Sequence, residues 1–366
     1  MNIKPILAIS MGDPFGNGPE ITVRSLADPT IYDRCRPLVV GDRSSIAYAL
    51  KVAKKVHGIT LEMHCVSSVD EALFQSGTID VLDMGLVPSE SIPDTVGEDV
   101  PRPFQIGAGT LGGEASFRYV KKVIELAMAG KVDATVTNAI SKEAINMAGH
   151  TFSGHTEIYA HYTGCKNYTM MLAHHNLRVV HVSTHVSLRE ACDRVKKARV
   201  LECIRIANEG CKAIGIETPQ IGVAGLNPHC GENGMFGTEE QEEIQPAIDE
   251  ALREGICIPE GRPTPPDTVF SKALGGWYDI VVAMYHDQGH IPLKVKGFVY
   301  NQERKTWDAV AGINVTLGLP IIRASVDHGT GYGHAGSGNA NPLSLCNAID
   351  YAIRLAINRK LTDSCF

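Results

Sequence analysis

Short apolar runs that end in glycine, aspartate, asparagine or histidine recur along the whole chain, and stretches with helical character lie between them. The apolar runs are residues 5–13, 37–42, 79–85, 132–138, 178–185, 221–229, 279–287 and 319–329. The helix-like stretches include Ala115–Ala129, Leu188–Gly210, Glu239–Arg253 and Leu343–Asn358. Strands that alternate with helices of this length are typical of α/β proteins with parallel-rich sheets. We therefore expect an α/β fold in which ligands bind at the carboxyl ends of the strands.

Three histidines, His185, His229 and His286, each follow directly on one of these apolar runs. Because the carboxyl ends of parallel strands meet at one edge of a sheet, three imidazoles there can converge on one divalent ion and leave coordination positions open for a substrate. The alternative is that each is an ordinary hydrogen-bonded loop histidine, since the chain has 14 histidines and these three are far apart in sequence. Spacing alone leaves both interpretations open.

The neighbours of these histidines include further reactive side chains. Asp287 follows His286 directly and can orient a metal ligand, act as a catalytic base or simply cap the loop. Lys294 follows shortly after. The loop after His229 leads into Glu239 and Glu240, acidic residues that suit the first turn of a helix.

Composition excludes several classes of protein. The net charge of −7 does not indicate the positively charged surface that nucleic-acid-binding proteins use. No apolar run approaches the roughly 20 residues that cross a bilayer, and the N-terminal apolar stretch is too short for a signal peptide. The 10 cysteines are scattered without a C-x-x-C pair, so reduced thiols in the cytoplasm are expected. A length of 366 residues favours two domains.

Several long segments closely resemble the 4-hydroxythreonine-4-phosphate dehydrogenase (PdxA) family, in the same order and over nearly the whole chain. They are GDPFGNGPE (12–20), SGHTEIYA (153–160), HVSTH (181–185), LNPHCGENGMFGTEE (226–240), PPDTVF (265–270), AMYHDQGHIPLK (283–294) and INVTLGLPIIRASVDHGT (313–330). HVSTH and GHIPLK are more similar to the branch that acts on 4-phospho-D-threonate or 4-phospho-D-erythronate than to the vitamin B6 branch.

The resemblance implies a two-domain fold similar to that of isocitrate and isopropylmalate dehydrogenases, with the active site in the interdomain cleft. It implies an NAD-dependent oxidation of a secondary alcohol, with decarboxylation of the resulting β-keto acid. It also implies a homodimer that holds one divalent ion (Zn, Co, Ni, Mn or Mg) across the subunit interface through His185, His229 and His286. Because metal-bound imidazoles must be neutral, activity is expected to fall below about pH 6.5.

The resemblance also assigns the substrate contacts. The matching positions are His155, Thr156, Lys294, Asn314 and Arg323. Arg323 and Lys294 supply positive charge for a phosphate, and the other three can supply directed hydrogen bonds. Lys294 has a second possible role in proton transfer, since a neighbouring metal ion would lower its pKa. Lys142 follows a strand end and is either a further substrate contact or an exposed residue near a helix start.

A nicotinamide site is harder to place, because no G-x-G-x-x-G segment follows a strand and opens a helix. The segment GDPFGNGPE contains three glycines, but its second half is typical of a turn that leads into a helix. Residues 326–342 resemble the adenosine-binding loop of isocitrate and isopropylmalate dehydrogenases. The predicted cofactor contacts there are Gly329, Thr330, Gly336, Asn339 and Asn341. Small residues allow the backbone to approach a dinucleotide closely, although a flexible surface loop has the same composition.

The expected domains are interleaved: residues 1–138 plus 318–366 with the cofactor loop, and residues 139–317 with the metal site and dimer interface. The sequence departs from the family pattern in an extra polar segment, Val299–Val310, between Lys294 and Asn314. It also departs at Ala139, where the family has proline, and in the glycine-rich stretch after Gly329. These departures leave open the substrate and the choice between NAD and NADP. The metal is also open, because three neutral imidazoles suit several divalent ions.

Two other functions fit part of the pattern. A dehydrogenase of another diol, such as an aromatic cis-dihydrodiol carboxylate, would use similar chemistry, but Arg323 and the intact GHTE segment favour a phosphate. A non-catalytic metal-binding or phosphosugar-binding protein need not keep the whole histidine set. The main hypothesis is therefore a metal-dependent, NAD-linked oxidative decarboxylase of a phosphorylated hydroxy acid.

Overall fold

The computed structural model describes residues 3–92, 96, 109–303 and 306–363. The strands are β1 (Ile6–Ser10), β2 (Arg36–Gly41), β3 (Glu62–Val66), β4 (Thr78–Asp83), β5 (Ala134–Thr137), β6 (Thr169–His174), β7 (Leu177–His181), β8 (Ile221–Val223), β9 (Ile280–Ala283), β10 (Phe298–Asn301), β11 (Thr306–Val310), β12 (Ile313–Leu317) and β13 (Arg323–Val326). The helices are α1 (Gly18–Leu26), α2 (Pro29–Arg34), α3 (Arg43–His57), α4 (Thr110–Met128), α5 (Lys142–Met147), α6 (His155–Thr163), α7 (Leu188–Asp193), α8 (Lys197–Ala213), α9 (Gln245–Arg253), α10 (Val269–Leu274), α11 (His286–Gly297) and α12 (Leu343–Asp363).

The chain forms two compact units. Unit 1 comprises Met1–Lys166 and Leu319–Phe366, and unit 2 comprises Asn167–Gly318. The two units are interleaved along the chain, and residues 139–166 lie in unit 1. The reason is that α5 and α6 both pack on α4, which belongs to unit 1.

Unit 1 contains a fully parallel set of strands in the order β3-β4-β2-β1-β5-β13. The central strands are buried along almost their whole length, as expected for a parallel sheet covered on both faces. Thr137 at the end of β5 pairs with Ser10 of β1 and with Ser325 of β13. The segments that leave these three strands therefore begin at the same sheet edge.

Unit 2 contains the strand order β12-β6-β7-β9-β8. β12, β6 and β7 are antiparallel to one another in turn, whereas β7, β9 and β8 are parallel. The segments after β7, β8 and β9 consequently start at one edge, as the sequence predicted for the three histidines. The sheet is held by a buried apolar cluster that includes Leu172, Val179, Val281, Phe270 and Leu293.

Short polar and glycine residues set the ends of the helices that carry candidate residues. Helix α6 begins after Gly154, ends at Thr163 and is capped by Gly164, whose φ of 67° is left-handed and suits glycine. The Ser141 side chain accepts the backbone N–H of Ala144 and caps α5. Ser187 caps α7 in the same way through the N–H of Glu190.

The extra segment Val299–Val310 forms most of a β-hairpin. Strands β10 and β11 pair antiparallel, with an irregularity between Val299 and Tyr300. Arg304 and Lys305 of this segment lie outside the described residues. Within the part of the chain that the structure describes, no helix has the length and apolar character needed to span a bilayer.

Candidate functional site

Two of the predicted metal ligands, His185 and His286, line one cavity in unit 2. The parallel pairing of β7 and β9 sets His181 opposite Ala283, so the chain leaves both strands at the same edge. The centroids of the His185 and His286 rings are 5.8 Å apart. The cavity has a volume of about 530 Å³, and its polar lining also includes Thr184, Ser187, Glu190, Tyr285 and Asp287. Two imidazoles facing one open cavity suit Zn, Co, Ni or Mn.

Asp287 contacts the imidazole of its neighbour. Its Oδ1 lies 2.6 Å from Nδ1 of His286. A carboxylate at that distance favours the tautomer with the proton on Nδ1, which leaves the lone pair of Nε2 for a metal. This contact fits one of the roles expected for Asp287, which is to orient the His286 ring as a metal ligand.

A row of imidazoles continues from the cavity into the interior. His290 stacks on His286 with ring centroids 3.6 Å apart, and the buried His181 follows, 4.7 Å from His290. Burial, followed by the neighbouring imidazoles, lowers the pKa of His181 to about 3. Burial is also the main cause that lowers the pKa of His290 to about 4. Both rings are therefore neutral near pH 7.

Neither His181 nor His290 had a predicted role. The segment after β9 was expected to be a turn, whereas it forms the first turn of α11. Once it is helical, His286, His290 and Lys294 follow one another at intervals of four and share one helix face. The four-residue spacing of His286, His290 and Lys294 in HDQGHIPLK could have indicated this shared face. It has that meaning only if the segment is known to be helical.

Gly289 of the same segment packs against this row. A Cβ atom there would lie 2.3 Å from Nε2 of His181 and 2.7 Å from Cγ1 of Val179, both in buried residues. We expect Gly289→Ala to lower the free energy of unfolding by about 1–3 kcal/mol, as overpacked cores do. Denaturant unfolding measures this change. The control is Gly109→Ala, where a Cβ would have no neighbour within 4 Å. An unchanged unfolding curve for Gly289→Ala would contradict the described packing of His181.

The third predicted ligand, His229, is exposed on an unusual turn. His229, Cys230, Gly231, Glu232 and Asn233 all have left-handed backbone angles, with φ between 46° and 77°. Left-handed conformation costs roughly 1–2 kcal/mol for each residue other than glycine. Such strain persists only where surrounding structure imposes it, and it is often found at functional sites.

Glu240 provides that surrounding structure. Its buried carboxylate accepts the backbone N–H groups of Leu226 and Asn227 at 2.7 Å through Oε1. Its Oε2 accepts Nδ2 of Asn227 at 2.9 Å. A Cβ at Gly231 would lie 2.9 Å from Oε2 of Glu240, so the glycine is needed for this close packing. Glu240 therefore stabilises the turn that carries His229.

His229 is not among the residues that line the cavity of His185 and His286. Among the residues described in this single chain, no group of three or more histidine, cysteine or acidic side chains is arranged to hold a metal ion. One chain thus presents two imidazoles around a cavity and a third on a separate, strained turn.

A second polar cluster lies in unit 1, around Arg323 at the start of β13. The Arg323 side chain is buried, with 2% of the residue exposed. One guanidinium nitrogen donates to Oγ1 of Thr137 at 3.3 Å, and the guanidinium carbon lies 5.7 Å from the centre of the Tyr159 ring. His155 and Thr156 form the first turn of α6, the same helix that carries Tyr159. The positive end of a helix and a buried cation therefore occur in one cluster.

The electrostatics of this cluster favour an anion. Burial lowers the pKa of Arg323 to about 10. Burial and the Arg323 charge hold the pKa of His155 well below its usual range, so the ring is neutral. Nε2 of His155 is buried and has no hydrogen-bond partner among the described residues. The ring donates its one proton to the backbone carbonyl of Asn138, so Nε2 carries a lone pair that a ligand hydroxyl could satisfy. A phosphate or carboxylate would add negative charge beside the buried Arg323.

The remaining predicted substrate contacts are more scattered. Lys294 is half-buried in unit 2, and its Nζ lies 4.1 Å from the centre of the Phe298 ring. Asn314 is on β12, where it pairs with Leu172 of β6. Lys142 is exposed in the first turn of α5 in unit 1.

The predicted cofactor contacts lie between β13 and α12 in unit 1. Gly329 faces open space, since a Cβ there would have no neighbour within 4 Å. Asn339 is exposed. Oδ1 of Asn341 accepts the N–H of Leu343 at the start of α12, so part of this side chain serves as a helix cap.

Comparison with known proteins places the chain in one family. Residues 33–352 match the family model described as "Pyridoxal phosphate biosynthetic protein PdxA". A D-threonate 4-phosphate dehydrogenase of Cupriavidus necator is 43% identical over 97% of this chain and 98% of its own length. A 4-hydroxythreonine-4-phosphate dehydrogenase of Desulfosudis oleivorans is 42% identical over 96% of both chains.

Solved structures give the same result. The crystal structure of a 4-hydroxythreonine-4-phosphate dehydrogenase from Klebsiella pneumoniae has a TM-score of 0.79 and 37% identity, and covers 96% of this chain and 100% of that one. The expected family and fold class are thereby confirmed. The chain belongs to the PdxA family and is a dehydrogenase.

Proposed function

We propose that the protein oxidises a 4-phosphorylated 3-hydroxy acid with NAD⁺ and that the resulting β-keto acid loses CO₂. The arrangement around Arg323 is the observation that supports this proposal. Arg323 is buried beside the N-terminal end of α6, and Nε2 of His155 in that helix has no hydrogen-bond partner among the described residues. The substrates to consider are 4-phospho-D-threonate, 4-phospho-D-erythronate and 4-phosphohydroxy-L-threonine. We favour 4-phospho-D-threonate, because HVSTH and GHIPLK resemble that branch of the family and a relative bears the matching name.

Arg323, His155 and Thr156 would bind the phosphate. Arg323 supplies a fixed charge, since even its lowered pKa of about 10 keeps it protonated at neutral pH. The lone pair of His155 Nε2 can accept a hydroxyl of the substrate or of a monoprotonated phosphate, and Thr156 offers a hydroxyl in the first turn of the helix. We further assign Asn314 and Lys142 as weaker candidate contacts from the family pattern.

The reacting end of the substrate would bind at the cavity of His185 and His286. His185 and His286 would hold a divalent ion there, which would supply Lewis-acid chemistry, and a bound nicotinamide would supply the hydride acceptor. Asp287 on Nδ1 of His286 and the neutral His290 stacked against that ring orient His286 towards the cavity. Lys294 follows on the same helix face and is the candidate for carboxylate binding or proton transfer.

We also propose that the enzyme is a homodimer and that His229 completes the ligand set across the interface. Helix α11, which carries His286, exposes Ile291 and Val295 by 59% and 76%, and the adjoining strand exposes Val299 and Tyr300. Side chains four residues apart on a helix form a continuous apolar face, which in a water-soluble protein marks an interaction surface. We propose that a second copy of the chain covers this apolar face, because a metal site shared between subunits requires one.

Glutamates at Ile291 and Val295 test the dimer. We expect the double variant Ile291→Glu/Val295→Glu to sediment as a monomer and to lose most of its turnover, because two charges would be buried in the interface. Analytical ultracentrifugation and an activity assay measure the two effects. The control is Leu252→Glu, an exposed apolar residue on α9. A double variant that remains dimeric would place the interface elsewhere.

The cofactor is proposed to bind at the loop that contains Gly329, Thr330, Gly336, Asn339 and Asn341. The open space at Gly329 and the exposure of Asn339 support an approach to this loop from solvent. We place the enzyme in the cytoplasm, because the cysteines in the described part of the chain are unbridged.

A substrate panel tests the proposed function. The purified protein is loaded with Zn²⁺, Co²⁺, Mn²⁺ or Mg²⁺ and given each of the three phosphorylated acids with NAD⁺ or NADP⁺. We expect NADH absorbance and CO₂ to appear together with at least one acid, and no signal with its unphosphorylated form. Protein that binds metal and NAD⁺ but reduces no NAD⁺ with any of the three would refute the proposal. Equal activity on an unphosphorylated cis-dihydrodiol carboxylate would favour the alternative dehydrogenase.

A further inference from the structure

The segment Gly12–Leu26 has no role in the proposed reaction, although its first part, GDPFGNGPE (12–20), resembles the family closely. In the structure it lies against the glycine-rich loop after β13. The N–H of Asn17 donates to the carbonyl of Thr330 at 2.8 Å. The hydroxyl of Tyr332 donates to Oδ2 of Asp13 at 2.7 Å. The first part of the loop is thus hydrogen-bonded to the turn that follows β1.

Glu20 holds the middle of the loop through both oxygens of its carboxylate. Oε2 accepts the N–H of Gly338 at 2.9 Å, and Oε1 accepts the N–H of Gly336. Only 3% of Glu20 is exposed, so these bonds are shielded from water. A carboxylate is the side-chain group that can accept two such bonds at once, because an amide of the same shape offers one acceptor and one donor.

Arg24 binds backbone carbonyl groups of the same part of the loop, whereas Glu20 binds its N–H groups. One guanidinium nitrogen donates to the carbonyl of Gly338 at 3.2 Å and also to that of Ala340. Nε2 of His57 lies 2.8 Å from the same carbonyl of Gly338. Glu20 and Arg24 lie one turn apart on α1, so a single helix fixes both the amide and the carbonyl groups of the loop.

The glycines divide into two sets that agree with this arrangement. A Cβ at Gly331, where φ is 61°, would lie 2.5 Å from Nδ2 of Asn17. A Cβ at Gly338, where φ is 75°, would lie 2.9 Å from Cγ2 of Val56. These glycines allow the loop to pack on the rest of unit 1. Gly329 and Gly333, by contrast, would carry a Cβ into open space. The loop therefore has one fixed side and one open side.

We propose that Glu20 and Arg24 are positioning residues for the nicotinamide cofactor: they hold the loop Gly329–Asn341 in a preformed shape whose open side receives the dinucleotide. The proposal rests on the proposed function, since it requires the cofactor to bind this loop. A loop that is already ordered loses less conformational freedom when the ligand binds, so affinity is gained without direct contact.

Glu20→Gln is the matched test, because it preserves shape and removes one of the two acceptors. We expect the Kd for NADH and the KM for NAD⁺ to rise roughly tenfold, the effect of losing one buried hydrogen bond to a charged group. The kcat at saturating NAD⁺, the KM of the phosphorylated acid and the metal affinity should stay within about twofold. Arg24→Lys keeps the charge, but its nitrogen lies one bond nearer the backbone and would not reach both carbonyls, so it should give the same pattern. The control is Glu125→Gln on the exposed face of α4.

NADH binding is followed by fluorescence titration, and folding by circular dichroism. If wild-type protein binds no NADH, the proposed function fails together with this inference. If the wild type binds NADH and both variants bind it equally well, only the inference is overturned. A fall in kcat, substrate affinity and metal affinity together would also overturn it, because that pattern indicates general structural damage. Should Glu20→Gln fail to fold, the Arg24→Lys result decides.

Discussion

His286→Ala is expected to reduce metal affinity by at least about 100-fold and to abolish nearly all turnover. The ring faces the cavity with His185, and Asp287 and His290 hold it from two sides. Loss of partners behind a ligand typically costs 10–100-fold in affinity, so loss of the ligand itself should cost more. Calorimetric titration with Zn²⁺ or Co²⁺ measures affinity directly, and NADH formation measures turnover.

The matched control is His175→Ala, an exposed histidine on the turn between β6 and β7. It should leave both metal affinity and turnover unchanged. Unchanged metal affinity in His286→Ala would refute the assignment of His286 as a ligand.

Mixing two inactive variants tests whether the ion is shared between subunits. If His229 and His286 of one site come from different chains, a heterodimer of His229→Ala and His286→Ala contains one site that lacks both ligands and one intact site. Random reassociation makes about half of the dimers mixed, so about a quarter of wild-type activity should return. No recovery, with mixed dimers demonstrated by mass spectrometry, would place all ligands of a site in one chain.

The sequence predicted the strands that lead to the three candidate histidines, but not every strand. The apolar runs 178–185, 221–229 and 279–287 overlap β7, β8 and β9, which are continuous and largely buried. Strand β3 was missed because its sequence, EMHCV, contains Glu62 and His64 and is half-exposed, so no uninterrupted apolar run marks it. A period-two pattern of five residues is too short to distinguish from a loop.

The polar clusters were only partly predictable. Arg323 and His155 were identified through the family pattern, but their burial and proximity depend on packing between β13, β5 and α6, which no local pattern encodes. The left-handed turn at His229 was expected to be a tight loop, and its backbone angles depend on the distant Glu240 carboxylate. GDPFGNGPE was expected to lead through a turn into a helix, and it does so. Its contacts with Gly336 and Gly338 could not be predicted, because these partners are more than 300 positions away in sequence.

Arg323→Met is expected to separate function from stability. The variant should lower kcat/KM for the phosphorylated acid by about 10²- to 10³-fold, chiefly through KM, as truncation of a buried charge partner does. Its melting temperature should be unchanged or higher. Burial lowers the pKa of Arg323 to about 10, which means that folding disfavours the charged form, and replacing a buried charge with an apolar side chain is often neutral or stabilising.

Arg199→Met is the control with the opposite pattern. Arg199 is half-buried in unit 2, donates to the carbonyls of Val182 and Tyr168 at 3.2 Å, and contacts Glu202 at 2.6 Å. Its loss should lower the melting temperature and leave the substrate KM nearly unchanged, because these contacts are structural. Calorimetric melting and steady-state kinetics on both variants provide the comparison. If Arg323→Met instead melts lower and keeps its KM, then Arg323 supports the fold of unit 1 and the phosphate binds elsewhere.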